Sequence, residues 1–369
     1  MPLYMDIHKF GEISIEELKS AHIADKSIQD QYGVKYHQFW VNKEAGMVFC
    51  LMEGPDKETC ALVHQLAHGN VACNVVEVEP GFFKLFMGDG LPVEHGMVQN
   101  DYGSTDPGYR HILVIDILGI GYIARSNDYK SLWVPLHSKN LVLNSIARFK
   151  GRVIERLGDD SLVGIFNTAI NAVRCAKDIQ HELLEHMKKS PGDQDWNIQF
   201  RMGLSTGHPL TETGGFFSEA LTIARRLCLS AKENGVLVSS LISEVCTLED
   251  ISPLRALSPS EDAFVHNLFE LTESNLPNKS FNVDHLSRAM GVSRPQLYRK
   301  TLSLTGRSPI DLISALRMVK AMSLMKSNFG NVSEIALEVG YHNPSYFAKC
   351  FQKNFGCPPS EFMRVRGFS

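Results

Sequence analysis

The 369-residue sequence contains no apolar run of bilayer-spanning length, and its opening residues, MPLYMDIHKF, lack a signal-peptide layout. Those two absences predict a cytoplasmic protein with no membrane contact. Its eight cysteines include no CxxC pair and no regular spacing, which argues against a disulfide framework or a zinc knuckle. There is no excess of charge: 21% of residues are charged and 44% hydrophobic, ordinary for a globular chain able to bury real cores. The length predicts two or three domains.

The net charge of −4 hides an asymmetry. From Ala263 onward there are 13 Lys and Arg against 7 Asp and Glu, a formal +6, which leaves −10 on residues 1–262. A basic end on an acidic remainder fits a reader of polyanionic DNA attached to sensory domains.

The basic end holds two stretches that match in residue type at an offset of about fifty residues. They are LSRAMGVSRPQLYRKTLSLTGRSP from Leu286 and IALEVGYHNPSYFAKCFQKNFGCPP from Ile335. Each reads as a helix, a Gly turn (Gly291, Gly340) and a second helix opened by Ser293 or Asn343 and carrying cations. That is a helix-turn-helix, whose second helix enters the major groove. Two in tandem, joined by the long helix SPIDLISALRMVKAMSLMKS, are far more specific than one. Here residues 263–369 resemble the DNA-binding domain of the AraC/XylS family of bacterial transcription regulators. The resemblance implies double-stranded DNA, RNA polymerase and a homodimer as partners. The first recognition helix would present Arg294, Gln296, Tyr298, Arg299 and Lys300 after its cap Ser293. The second would present Ser345, Tyr346, Lys349 and Lys353 after Asn343. Arg and Gln can read guanine and adenine edges, whereas Lys more often neutralises phosphate. Leu297, Leu302, Phe347, Phe351 and Phe355 are expected in the core.

Residues 1–80 read as βαββαβ, which predicts an α+β ferredoxin-like domain. Ser14 should cap a helix running to Gln29, Lys43–Gly46 should turn a hairpin, and Asp56 should cap a helix ended by Gly69. The domain concentrates histidines: His8, His22, His37, His64 and His68. His64 and His68 stand four apart on one predicted helix, so their imidazoles share a face and can bind a transition metal; Cys50 could add a thiolate. The words HIADKSIQDQYGVKY, WVNKEAG, FCLMEGPD and VHQLAHG resemble a small family of bacterial ferredoxin-like proteins, some of which bind nickel. That resemblance makes His22, Cys50, His64 and His68 the metal candidates, with Asp25 and Tyr36 nearby.

Residues 81–109 are expected to be a linker whose aromatic first half docks on a neighbour. Residues 110–250 read as an α/β domain: a buried strand HILVIDILG, a helix, a hairpin turning at Gly158-Asp159, a long helix from Ala169, then strand, helix and strand. The order and wording resemble the catalytic domain of class III adenylyl and guanylyl cyclases. Asp116 and Asp159 match the aspartates that hold two metals at a nucleoside triphosphate, and Arg226 matches the arginine that stabilises the transition state. The departures are Thr222 where an asparagine is expected, Gly215 at a base-selecting position, and Gly119-Ile120-Gly121 in place of the phosphate-contacting Ser/Thr region; Glu155 stands where adenylyl cyclases carry Lys and guanylyl cyclases carry Glu. Losing an oriented donor costs orders of magnitude in rate. The domain therefore reads as a cyclase-like piece repurposed for dimerisation or ligand sensing, still able to hold a nucleotide. Residues 251–262 are expected to be a second linker. The expectation is a multidomain regulator of transcription, not an enzyme, that senses a metal, nickel by resemblance, or a nucleotide. The alternative is an active cyclase with an attached DNA-binding module.

Overall fold

Residues 1–11, 14–100, 103–118, 129–154, 161–189, 199–355 and 357–365 are described by the structure, a computed structural model. They divide into two units. One comprises Met1–Ile112, Ile165–Thr168 and Thr206–Thr222; the other comprises Leu113–Gly164, Ala169–Ser205 and Ile223–Ser369.

The first unit begins β1 (Leu3–Lys9), α1 (Ile15–Ile28), β2 (Lys35–Asn42), β3 (Met47–Glu53), α2 (Lys57–His68) and β4 (Asn74–Glu77). β1 pairs antiparallel with both β3 and β4, and β2 pairs antiparallel with β3, giving the order β4-β1-β3-β2 of the expected ferredoxin-like domain. Local chemistry sets the boundaries. Ser14 and Glu17 close a capping box at α1, and Asp56 accepts from the Thr59 amide at α2. The hairpin turn needs Gly46 at φ 62°, because a Cβ there would fall 2.5 Å from the Phe10 carbonyl oxygen. Tyr36, Phe39, Met52, Cys60 and Val63 join sheet to helices in one apolar cluster.

The stretch expected as a linker is largely structured. It carries α3 (Pro80–Met87), β5 (Val93–Glu94) and β6 (Met97–Val98), and β6 runs parallel to β2 with Phe39 opposite Met97. The reason is apolar burial: Phe86 and Met87 are buried, and the Phe86 ring stacks on Phe217 at 4.6 Å.

The second sheet has the order β12-β11-β10-β7-β9-β8. Its elements in chain order are β7 (Arg110–Leu118), α4 (Tyr129–Arg148), β8 (Arg152–Ile154), β9 (Leu162–Phe166), α5 (Ala169–Lys189), β10 (Gln199–Gly207), α6 (Ser218–Ser230), β11 (Gly235–Val238), α7 (Ser240–Val245), α8 (Leu248–Ile251) and β12 (Arg255–Ala256). β11 pairs parallel with β10 and with β12. Gly203 of β10 lets α6 lie against the strand, since a Cβ there would come within 2.2 Å of the Ala224 carbonyl oxygen. The second expected linker, 251–262, is also occupied. β12 extends the sheet there, and α9 (Pro259–Ser274) starts within it from a Ser258–Glu261 capping box.

The helical end continues α10 (Val283–Ala289), α11 (Arg294–Thr305), α12 (Pro309–Lys326), α13 (Val332–Glu338), α14 (Pro344–Phe355) and α15 (Pro359–Val365). α10–α11 and α13–α14 are the two helix-turn-helix pairs, with Gly291 at φ 65° and Gly340 at φ 85° in the turns. The two pairs pack into different apolar clusters. Leu286, Leu297, Leu304 and Leu312 belong to one, and Ile335, Phe347, Phe351 and Phe362 to the other.

Candidate metal centre and nucleic-acid interface

β1 is an apolar strand, yet two of its buried residues are Asp6 and His8, two apart and so on one face. The register sets Asp6 opposite Cys50 of β3, and α2 covers them with His64. One ligand atom from each of Asp6, His8, Cys50 and His64 lies within 4.8 Å of the others, and all four residues are buried. A second such group, Asp25, His64 and His68, shares His64 with the first. Nε2 of His64 stands 2.7 Å from Oδ2 of Asp6, while its Nδ1 stands 3.1 Å from both Oδ1 of Asp25 and Nε2 of His68. His8, Asp25, Cys50, His64 and His68 of these groups line a cavity of about 20 Å³, room for one ion or one water.

The electrostatics favour a cation. Burial alone would raise the Asp6 carboxyl, but His8 and His64 hold it well below the usual range. Burial alone would lower His64, but Asp6 and Asp25 hold it well above its ordinary value. Burial, aided by Asp6, pushes the Cys50 thiol up to about 12, so its thiolate needs a cation beside it. Among the described residues, His8 Nδ1, His64 Nε2 and both ring nitrogens of His22 are buried without an aligned hydrogen bond. His64 Nε2 is close to Asp6 yet misaligned for a hydrogen bond with it. Unpartnered imidazole nitrogens beside a small cavity are available as ligands to a metal. The residues present therefore fit a divalent transition metal.

Of the sequence candidates, Cys50, His64 and His68 fall in these two groups. His22 falls in neither, although it lines the same cavity; burial, and after it Lys26, lowers its pKa to about 4, which keeps it neutral. Tyr36 turns its hydroxyl away, donating to the Cys60 carbonyl at 3.0 Å. Asp6 and His8 were missed as ligand candidates. Their signal was a charged and a titratable residue on alternate positions of an otherwise apolar strand.

At the helical end, all the expected DNA-facing side chains, from Ser293 to Lys300 and from Asn343 to Lys353, are exposed. Not all are available. Oε1 of Gln296 accepts from the Ser293 amide and hydroxyl, closing a capping box. Arg294 is ion-paired with Asp284, and Lys300 lies over the Phe264 ring at 5.2 Å. Among the described residues Arg299, Lys349 and Lys353 have no ion pair, and Tyr298 and Tyr346 are more than half exposed. Asn343 accepts from the Ser345 and Tyr346 amides, as a cap does.

In the cyclase-like region Asp116 lies half-buried on β7, while Asp159, Glu155 and Gly119–Gly121 lie outside the described residues. The Thr222 hydroxyl donates to the Ser218 carbonyl within its own helix. Arg226 donates to Oε2 of Glu273 at 2.7 Å.

Residues 286–364 match the family model for a helix-turn-helix domain. Residues 4–78 match the model for nickel responsive protein SCO4226-like. The HTH-type transcriptional regulator MtrA of Neisseria gonorrhoeae is 31% identical over 91 residues, covering 25% of this chain and 30% of that protein. A Rhizobium meliloti protein provisionally named adenylate cyclase 3 is 30% identical over 135 residues, covering 36% of this chain and 22% of that protein. The crystal structure of SCO4226 from Streptomyces coelicolor A3(2) is 34% identical, covering 21% of this chain and 94% of that chain with a TM-score of 0.20. The chain spans between 8% and 39% of the length of the curated relatives that it matches first. No helix among the described residues is long and apolar enough to cross a membrane.

Proposed function

We propose that the chain is a cytoplasmic DNA-binding regulator of transcription that responds to a divalent transition metal, nickel in the first instance. The observation that carries this reading is the pairing, in one chain, of a tandem helix-turn-helix domain with a buried Asp–His–Cys cluster. Asp6, His8, Cys50 and His64 would hold the ion, with His68 and Asp25 beside them. A bound ion supplies positive charge that neutralises the buried carboxylate and thiolate. The chain's own residues do the rest. With an ion bound, β1, β3 and α2 would be connected at one point, which would raise the stability of the folded ferredoxin-like domain. Arg299, Lys349 and Lys353, exposed and without ion pairs, are the contacts proposed for double-stranded DNA, with the remaining exposed residues of both recognition helices around them. RNA polymerase at the promoter and a homodimer as the working state complete the proposal. The test is a DNA-binding titration with and without nickel, and it fails if the metal changes neither affinity nor footprint.

We further propose that the cyclase-like domain turns over no nucleotide, although Asp116 and Asp159 would still offer a nucleotide or a metal somewhere to bind, with Arg226 joining them only on release from Glu273. Thr222 spends its hydroxyl inside α6, and Arg226 is committed to Glu273. The second reading, a nucleotide cyclase, is favoured by the identity to the Rhizobium meliloti protein. Incubation with ATP or GTP and manganese separates the two.

A further inference from the structure

We infer that the edge of the cyclase-like domain is the seat of the first recognition helix, and that Arg226 and Arg255 are positioning residues for DNA reading. This rests on the proposed DNA-binding function.

α11 is held from below by groups that precede the helix-turn-helix domain in the chain. Leu297 and Leu304 of α11 lie in one apolar cluster with Leu227 of α6, Leu237 of β11 and Leu257. Arg255 of β12 donates to the Ser303 carbonyl in the last turn of α11 at 3.2 Å and to Glu261 at 3.1 Å. A cation there also faces the negative end of the helix dipole. Gly306, which ends α11 at φ 70°, sits over the aliphatic stem of Lys232, where a Cβ would come within 3.3 Å of Cγ. Asp262 at the start of α9 accepts from the amide and hydroxyl of Ser240.

Arg226 fastens the same seat. It donates to Glu273 and stands 3.2 Å from Nδ1 of His266, both on α9, and its side chain is 11% exposed. His266 Nε2 lies 3.1 Å from Glu270, so the ring donates there and accepts from Arg226. α9 packs on α10 and α12, the helices that flank the first reader. The second reader has a separate core that runs from Met318 of α12 to Phe362 and, among the described residues, has no member from residues 110–262. The two readers are therefore held differently. The orientation of α11 depends on the cyclase-like edge, whereas that of α14 depends on its own domain.

The experiment uses the full-length chain and a duplex that the wild type enriches from a random pool. Arg226→Gln, Glu273→Gln, Arg255→Gln and the exchange R226E/E273R are compared by hydroxyl-radical footprinting, anisotropy and thermal melting. The expected result is loss of protection over one half-site only, with affinity down about tenfold for each single variant and restored in the exchange. Protection of both half-sites at wild-type affinity in all the single variants overturns the inference. Equal loss over both half-sites, or an exchange no better than the singles at an unchanged melting midpoint, also overturns it. A wild type that enriches no duplex overturns the DNA-binding reading itself, a different outcome from the other two.

Discussion

Nε2 of His64 stands 2.7 Å from Oδ2 of Asp6, and both side chains are almost wholly excluded from solvent. The opposite nitrogen faces Asp25 at 3.1 Å, so one ring separates two buried carboxylates. Removing it takes away the partner between them and leaves Asp6 with His8 alone, and Asp25 with His68 alone, each at 3.2 Å. His64→Ala should destabilise the metal-free protein by about 3 kcal/mol, because a buried charge that loses a partner costs more than the pair contributes. Urea denaturation of the first unit checks this; a change under about 1 kcal/mol would mean the carboxylates are not charged in the folded state.

Metal binding should depend on the inner group more than on His68, whose side chain is 14% exposed. Cys50→Ser should remove the sulfur-to-metal charge-transfer absorption of the nickel-loaded protein. His8→Ala should cut nickel stoichiometry, and binding should weaken as pH falls through the imidazole range. Full nickel stoichiometry in His8→Ala and Cys50→Ser alike would remove the inner group from consideration.

A second pH effect comes from His111. Burial, and after it the neighbouring Arg110, pushes its pKa down to about 3. The folded state then binds fewer protons than the unfolded state, whose His titrates near about 6.5. The stability from a neutral His111 is therefore full above that value and lost as pH falls from there towards about 3. One proton corresponds to about 1.4 kcal/mol per pH unit. His111→Leu should flatten the stability profile between pH values of about 6 and 4 by roughly that slope. Parallel profiles for the two proteins would contradict it.

The parts of the fold set by local chemistry were legible in the sequence. Ser14 and Asp56 announced their helices, Gly46 its turn, and the Gly291 and Gly340 turns the two readers. What depends on distant pairing was not. The register that sets Asp6 against Cys50 follows from no local rule, so the alternating Asp6 and His8 of β1 carried a signal in the sequence but no partner. The short elements inside the two expected linkers were hidden for a related reason. Phe86 finds Phe217, and Arg255 finds Leu237, only once the chain has folded, so Gly- and Pro-rich wording hid a helix and a strand. Gln296, expected as a base reader, is taken up by its own helix cap, which the Ser-x-x-Gln spacing already signals.

The two recognition helices should differ in what they lose. Arg299→Ala should cost about 1–3 kcal/mol at the preferred duplex and relax discrimination at one base pair. Lys353→Ala should weaken all duplexes alike and lower the salt slope by about one. A Lys353 variant that changes sequence preference would reverse the assignment.

Purified protein with ATP or GTP and manganese should form no cyclic nucleotide at ordinary enzyme rates, on the order of one turnover per second. Turnover at that rate, abolished by Asp116→Ala, would make the chain a cyclase.

The most direct test of a metal-responsive DNA reader is fluorescence anisotropy of the full-length chain on its enriched duplex, titrated with and without nickel at several salt concentrations. The account predicts binding that falls steeply with salt, as expected of a +6 reading end on a polyanion, and an affinity that changes with nickel in the wild type but not in His8→Ala. Salt-insensitive binding no tighter than to unrelated duplexes, or identical curves with and without nickel, would contradict it.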